Sequence, residues 1–306
     1  MHKVYDACCE LAAKLGVRVT GSEVVGMLPR RVLLEAGRYF LKKQGQSTGV
    51  PEAELMETAA QSLGLSDVAP FDSKAKVIEE RFRKATPLAD ASLKKFLREL
   101  ASRAPAPGGG SVAALSGALG AALCSMVSAL TYEKKGHEAS RGEMEAMAVK
   151  AQDLLKSMIQ AVDDDTEAFN KLMAAMGLPK ADEAQAVARK AAITAATKAA
   201  TLEPLGVLEK QAAILDCAAL AEKKGNPNAA SDAGAAGQMS RAAALGAYYN
   251  VLINLAGIKE KAWRTKTLKR ADAALAQVER KAKALEKSMR RRLRSPLKYK
   301  GLWEPR

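Results

Sequence analysis

Residues 105–132 read PAPGGGSVAALSGALGAALCSMVSALTY, and this uncharged stretch indicates how the rest of the chain is built. It is long enough to cross a bilayer. Because it is rich in Ala, Gly and Ser rather than Leu, Ile and Phe, its insertion into a membrane would be marginal. A leucine or valine recurs at every fourth residue beside a parallel stripe of small residues, which predicts a helix that other backbones approach closely. We therefore predict the buried central helix of a helical domain and no membrane span.

The chain on either side of this stretch shows two kinds of pattern. From about residue 91 onward every segment follows the helical period, with Pro and Gly clusters between segments. The helices predicted there cover residues 91–102, 112–132, 138–176, 182–202, 204–224, 229–255 and 259–293. Before residue 82, residues 17–20 and 23–26 alternate as a strand or an extended chain does, between helical stretches. The predicted fold is mainly α: an all-helical bundle (85–295) follows a small N-terminal α/β segment (1–84) and precedes a basic tail (296–306).

Composition argues against several function classes. Of 306 residues, 48% are hydrophobic and 27% are charged, the balance of a folded soluble protein. Two histidines and four cysteines without CxxC spacing do not favour a Ser-His-Asp triad, a metal site or a disulfide framework, and they fit a reducing cytoplasm. Walker and Rossmann spacings are missing from the sequence. The net charge of +14 is concentrated near the C-terminus, which we interpret as a solvated helix end, because no aromatic-interleaved nucleic-acid motif accompanies it.

One aspartate stands on the apolar face of a predicted helix. The face consists of Leu155, Met158, Val162, Asp165, Phe169, Leu172 and Met176. Burying a lone carboxylate costs several kcal/mol, and desolvation raises its pKa toward the range useful for proton transfer. Asp163 and Asp164 project elsewhere, since adjacent helical positions lie about 100° apart. Asp165 is therefore the candidate catalytic residue, and an ion pair with Lys or Arg from another helix is the structural alternative.

The candidate binding groups are backbone amides, lysines and side-chain amides. They are Gly108, Gly109, Gly110, Ser111, Lys134, Lys135, Asp232, Asn250 and Asn254. The glycine run precedes the central helix, where free N–H groups suit an anion or a carbonyl oxygen; a tight turn into a crowded core is the alternative. The lysines beyond the far end of that helix can pair with an anionic tail or simply be solvated. For Asp232, helix capping is the default interpretation. The side-chain amides of Asn250 and Asn254 would bind either a polar heterocycle or another helix.

Residues from about 90 to 293 resemble the formiminotetrahydrofolate cyclodeaminase / methenyltetrahydrofolate cyclohydrolase family. The resemblance is carried by APGGGSVAA (106–114), GALGAA (117–122), LTYEKK (130–135), DDDTEAF (163–169), GN (225–226) with SD (231–232), and GAYYNVLINL (246–255). It implies an all-α, dimeric enzyme with a folate site in a cleft near the subunit interface. Glu133 departs from the family pattern, in which a glycine is common, and places a negative charge beside the two lysines.

Residues 1 to about 82 resemble the final part of the glutamate formiminotransferase module. The matching stretches are HKVY (2–5), GSEVVG (21–26), KKQG (42–45), SLGL (62–65) and PFD (70–72). The resemblance places Glu23 at a folate-contacting position, here in half a site. The family's transferase needs an N-terminal sub-domain with a catalytic histidine, to which nothing in this sequence corresponds. We expect no transferase activity from this chain alone. The chain would be either a truncated bifunctional protein or a protein whose missing half is supplied by a separate chain.

The resemblance also implies a reaction, the closure of 5-formiminotetrahydrofolate to 5,10-methenyltetrahydrofolate with release of ammonia. Asp165 would accept the proton of N10. The folate or its glutamate tail would be held by residues 108–111 together with Lys134 and Lys135. The pterin edges would be contacted, or a second proton relayed, by Asp232, Asn250 and Asn254. Tetrahydrofolate would carry the substrate without a metal, and the partners would be folates, polyglutamylated or not, in a homodimer or higher oligomer. The alternatives are a methenyltetrahydrofolate cyclohydrolase, a non-catalytic folate-binding helical dimer, or a nucleic-acid binder acting through the tail.

Overall fold

The computed structural model describes residues 1–67, 69–82 and 84–294, and within them the chain is mainly helical with almost no strand. The helices are α1 (His2–Lys14), α2 (Arg30–Lys43), α3 (Glu52–Ser62), α4 (Ser73–Lys76), α5 (Leu93–Leu100), α6 (Gly109–Tyr132), α7 (Arg141–Met176), α8 (Glu183–Lys224), α9 (Ala230–Ala256) and α10 (Lys261–Leu293). The prediction of a mainly α fold is confirmed. The predicted basic tail, 296–306, lies outside the described residues.

Helices α6 to α10 form one bundle, with α6 packed against α7, α8 and α9. The small residues of α6 face these neighbours and are buried: Ala113, Gly117, Gly120, Ala121 and Ser125. A Cβ built on Gly120 would lie 3.0 Å from the carbonyl oxygen of Ala236 in α9. The small side chains of α6 therefore allow the close backbone approach that the sequence predicted.

Some of the larger residues of α6 remain accessible. Leu119, Met126 and Leu130 are 49%, 39% and 48% exposed, whereas Val127 is fully buried and Leu115 and Leu123 pack, partly buried, against the core. The predicted burial of this helix therefore does not extend to the side that carries Leu119, Met126 and Leu130. Within the described part of the chain, α6 is also the helix long and apolar enough to cross a membrane, with 56% of its apolar window buried in the protein.

Helix α8 continues through Pro204, where the sequence predicted a break. Proline has no N–H, so the carbonyl oxygen of Ala200, four residues earlier, loses its helical donor. The side-chain amide of Asn254 in α9 donates to that oxygen at 2.8 Å. The two predicted helices 182–202 and 204–224 are therefore one helix, because a side chain from a neighbouring helix replaces the missing bond.

Residues 1–82 have a small core of their own, in which Leu33, Phe40, Leu63 and Val77 are buried. Residues 17–20 and 23–26, predicted as strand or extended chain, belong to no helix and form no strand. Leu28 and Val77 pair as an isolated parallel bridge. An extended segment becomes a strand only when a neighbouring segment continues the hydrogen-bond ladder. The N-terminal segment is thus helical and extended rather than α/β.

The loop after α2 holds this N-terminal segment on the bundle. The carboxylate of Glu145 in α7 accepts hydrogen bonds from the hydroxyl of Ser47 (2.7 Å), the backbone N–H of Thr48 (3.0 Å) and the hydroxyl of Thr48. The hydroxyl of Ser125 in α6 donates to the carbonyl oxygen of Gly49 at 3.2 Å. The loop therefore contacts α6 and α7 through polar groups that are satisfied on both sides.

Candidate active site

The carboxylate of Asp165 in α7 lies against the first turn of α6. A Cβ built on Gly110 would lie 2.6 Å from Oδ2 of Asp165 and closer still to Oδ1. The hydroxyl of Ser111 donates to the carbonyl oxygen of Val162 (2.8 Å) and lies 3.3 Å from Oδ2 of Asp165. The glycine run thus permits a carboxylate from one helix to reach the N-terminus of another.

The environment of Asp165 disfavours the charged form of its carboxyl. The residue is half-buried, and this burial raises the pKa of its carboxyl above the ordinary value. The hydroxyl and backbone amide of Ser111 partly offset the rise in pKa, because they favour the ionised form. Asp165 makes no ion pair with the described residues, so the Lys or Arg partner considered as an alternative is not found there. A raised pKa makes the carboxylate a stronger proton acceptor.

The two aspartates before Asp165 have structural roles. Asp163 is 7% exposed and accepts hydrogen bonds from the backbone N–H groups of residues 88 and 89, at 2.9 and 3.0 Å. Asp164 pairs with the amine of Lys84 at 2.6 Å. The helical period correctly places Asp163 and Asp164 on other faces of the helix than Asp165. The burial of Asp163 could not be predicted, because the linker that covers it has no periodic pattern.

Asn250 in α9 faces the same end of α6. A Cβ built on Gly109 would lie 3.2 Å from Nδ2 of Asn250. This Nδ2 donates to the carbonyl oxygen of Gly246 at 2.8 Å, whereas Oδ1 accepts no hydrogen bond from the described residues. The structure therefore brings together the glycine run, Asp165 and a side-chain carbonyl with acceptor capacity. Asn254, one turn later, uses its amide on the carbonyl oxygen of Ala200 instead.

The other predicted binding residues of this domain lie at the far end of α6. Lys134 follows the last turn of this 24-residue helix, which is about 36 Å long. Its amine contacts Oδ1 of Asn226 at 2.8 Å, and Lys135 is exposed. Asp232 belongs to the first turn of α9, which starts at this same end because α6 and α9 are antiparallel. Within one chain the predicted residues therefore form two groups, one at each end of α6.

Glu23 belongs to neither group. It is exposed in the extended stretch after α1, and no hydrogen bond or ion pair joins it to Asp165 within the described residues. The described residues also contain no group of three His, Cys, Asp or Glu side chains able to hold a metal. The chemistry available at the start of α6 is thus that of a carboxyl, an amide and the backbone N–H groups of a helix N-terminus.

Two family models together match most of the chain. The model described as "Formiminotransferase domain" matches residues 1–83, and the model described as "Formiminotransferase-cyclodeaminase" matches residues 92–273. A methenyltetrahydrofolate cyclohydrolase from Methylorubrum extorquens is 39% identical over 61% of this chain and 89% of its own length.

A formimidoyltransferase-cyclodeaminase from Rattus norvegicus is 32% identical over 92% of this chain and 52% of its own length, so the chain spans about half of that relative. The crystal structure of a formiminotetrahydrofolate cyclodeaminase from Thermotoga maritima is similar, with a TM-score of 0.59 and 31% identity over 66% of this chain and 96% of that one. Taken with the two matching models, these similarities show that the chain belongs to the formiminotransferase-cyclodeaminase family.

Proposed function

We propose that the chain is an ammonia lyase that closes 5-formiminotetrahydrofolate to 5,10-methenyltetrahydrofolate, with tetrahydrofolate as the carrier of the substrate. The observation that carries this proposal is the half-buried carboxyl of Asp165 at the N-terminus of α6, without a cation partner in the described part of the chain. The names of the similar proteins, which include a cyclodeaminase and a cyclohydrolase, support the same class of chemistry.

The proposed step moves one proton across the substrate. N10 attacks the formimino carbon and forms a C–N bond, while Asp165 accepts the proton that N10 loses. The formimino nitrogen enters in its protonated form (=NH2⁺), gains one further proton and departs as neutral ammonia, and the electron pair of N5 completes the positively charged methenyl bridge. A general base contributes about 10²–10⁴-fold to such a step, and holding N10 against the carbon adds the benefit of proximity.

The groups around Asp165 suit the polar edge of a pterin. The N-terminal N–H groups of α6 point toward the site as donors, and Oδ1 of Asn250 is an acceptor that the described residues leave unused. A ring with both donors and acceptors can pair with both kinds of group. We therefore assign Asn250 to the substrate and Asn254 to the integrity of α8, whose Ala200 carbonyl it satisfies.

A second copy of the chain would be needed to bring Lys134, Lys135 and Asp232 to this site. The exposed apolar side of α6 supports such a copy, because contiguous apolar surface of this kind marks interaction sites. If two copies packed these sides together in antiparallel fashion, the lysine end of one α6 would meet the Asp165 end of the other. The two lysines would then bind the glutamate tail of the folate, with Glu133 reducing their net charge.

The second candidate is a methenyltetrahydrofolate cyclohydrolase, favoured by the 39% identity to the Methylorubrum extorquens protein of that name. In that reaction the same carboxyl would activate a water molecule, so Asp165 alone does not discriminate between the two reactions. The match of residues 1–83 to the formiminotransferase domain favours the cyclodeaminase instead, because the product of a formiminotransferase is the formimino compound that a cyclodeaminase takes as its substrate. The expectation that this chain lacks transferase activity of its own stays a prediction.

The test is to offer the purified chain each substrate separately. With 5-formiminotetrahydrofolate we expect methenyl absorbance to appear together with one ammonia per methenyl group formed. Hydrolysis of methenyltetrahydrofolate without ammonia release from the formimino substrate would instead identify a cyclohydrolase. Binding of folate without either reaction would leave the non-catalytic helical dimer.

A further inference from the structure

Packing of α7 against α8 places a second carboxyl, that of Glu203, on the part of α8 that faces Asp164 and Asp165. The helices run antiparallel, as three contacts along their length show. The amine of Lys210 lies 2.6 Å from Oγ of Ser157, and the carbonyl oxygen of Met176 accepts a 2.8 Å bond from Arg189. Nε2 of Gln211 lies 3.4 Å from the sulfur of Met158. In this register the part of α8 opposite Asp165 is the turn that contains Glu203.

Glu203 is half-buried and has no hydrogen-bond or ion-pair partner among the described residues. The charged groups that face it are Asp164 and Asp165 from α7, Lys84 from the linker and Lys210 from its own helix. Both cations are engaged elsewhere. The amine of Lys84 lies 2.6 Å from the carboxylates of Asp164 and Glu167, and that of Lys210 lies 2.6 Å from Ser157.

The two carboxyls lie in different environments. Burial, followed by the negative charge of Asp164, raises the pKa of Glu203; the charges of Lys84 and Lys210 act in the lowering direction, but neither amine hydrogen-bonds to the Glu203 carboxyl within the described residues. At Asp165 the hydroxyl and amide of Ser111 favour the ionised form. Adjacent carboxyls whose environments differ in this way are the arrangement expected of an acid and a base acting on one substrate.

We propose that Glu203 is the proton donor to the departing nitrogen, acting with Asp165 as the acceptor on N10. This inference rests on the proposed cyclodeaminase function. In the step, Asp165 gains the N10 proton and Glu203 gives its proton to the formimino nitrogen, whose bond to carbon breaks as ammonia leaves. Each turnover ends with Asp165 protonated and Glu203 ionised, and proton exchange between the two, directly or through solvent, restores the starting state.

The variant Glu203→Gln tests this role, with Glu209→Gln as the matched control. Glu209 lies in the same helix and pairs with Arg270 at 3.1 Å, on a side of α8 that packs against α10 rather than α7. For Glu203→Gln we expect kcat to fall about 10²-fold or more with little change in KM. The high-pH decline of the kcat profile should disappear in this variant, because in the wild type it reports the loss of the Glu203 proton.

Stability separates a proton donor from a structural residue. Removing an unpartnered carboxyl beside two aspartates should leave Tm unchanged or higher, whereas a structural role predicts a lower Tm. If Glu203→Gln does not fold, Glu203→Asp replaces it as the test variant. For Glu203→Asp we expect a reduced kcat that still declines at high pH.

An active wild type whose Gln variant keeps full kcat and the same pH profile would overturn the role of Glu203 and leave the cyclodeaminase standing. A wild type without ammonia release would overturn both.

Discussion

The contact between Gly110 and Asp165 makes Gly110→Ala an informative variant. The added Cβ would lie 2.6 Å from Oδ2 of Asp165 and closer to Oδ1, whereas ordinary contact begins near 3.4 Å. The carboxylate must therefore retreat by about 1 Å, and a displacement of this size in a reacting group costs about 10²-fold in rate. That factor corresponds to about 2.7 kcal/mol of activation free energy.

The matched control is Gly142→Ala. Gly142 is the second residue of α7, as Gly110 is of α6, and a Cβ built there meets nothing within 4 Å. The control should keep wild-type kcat and gain up to about 1 kcal/mol of stability from helix propensity. Both variants are assayed by methenyl absorbance and ammonia release, with folding checked by circular dichroism. A Gly110→Ala protein with the kcat of the control would refute the idea that this glycine positions the carboxylate.

Three further variants probe the groups around the site. Asp165→Asn should raise Tm at pH 7, because the pKa of Asp165 is raised in the folded protein and ionisation of this carboxyl therefore opposes folding. The gain in Tm should vanish as the pH falls below about 4, where the carboxyl is protonated in both the folded and the unfolded protein. Asp163→Ala should cost roughly 3 kcal/mol in a urea titration, since it leaves two linker amides without their charged acceptor. Asn254→Ala should cost about 1–3 kcal/mol in wild type and less in a Pro204→Ala background, where the new N–H can bond the Ala200 carbonyl; equal costs in both backgrounds would contradict the proposed compensation.

Much of the helical domain follows from periodicity in the sequence. The apolar face with one aspartate identified Asp165, and the glycine run marked the start of the helix that this residue contacts. The helical period determines which residues share a face, and it therefore separates Asp165 from its two neighbouring aspartates. Asn250 was a candidate from its own helix face, and in the structure its side-chain amide lies near Gly109.

The remaining differences depend on contacts between distant segments. The sequence cannot show that Asn254 replaces the bond lost at Pro204, so a break was predicted there. That predicted break also hid Glu203, because a residue next to a presumed helix end has no assigned face. Similarly, the pattern of α6 shows two stripes, but only tertiary packing decides that the small residues face inward and Leu119 outward.

The role of Asp165 as the proton acceptor is tested most directly by single-turnover ring closure of 5-formiminotetrahydrofolate in wild type and Asp165→Asn. With folate affinity and folding verified for both proteins, the rate of methenyl formation should fall about 10²–10⁴-fold in the variant. An Asn variant that closes the ring at the wild-type rate would show that another group accepts the proton.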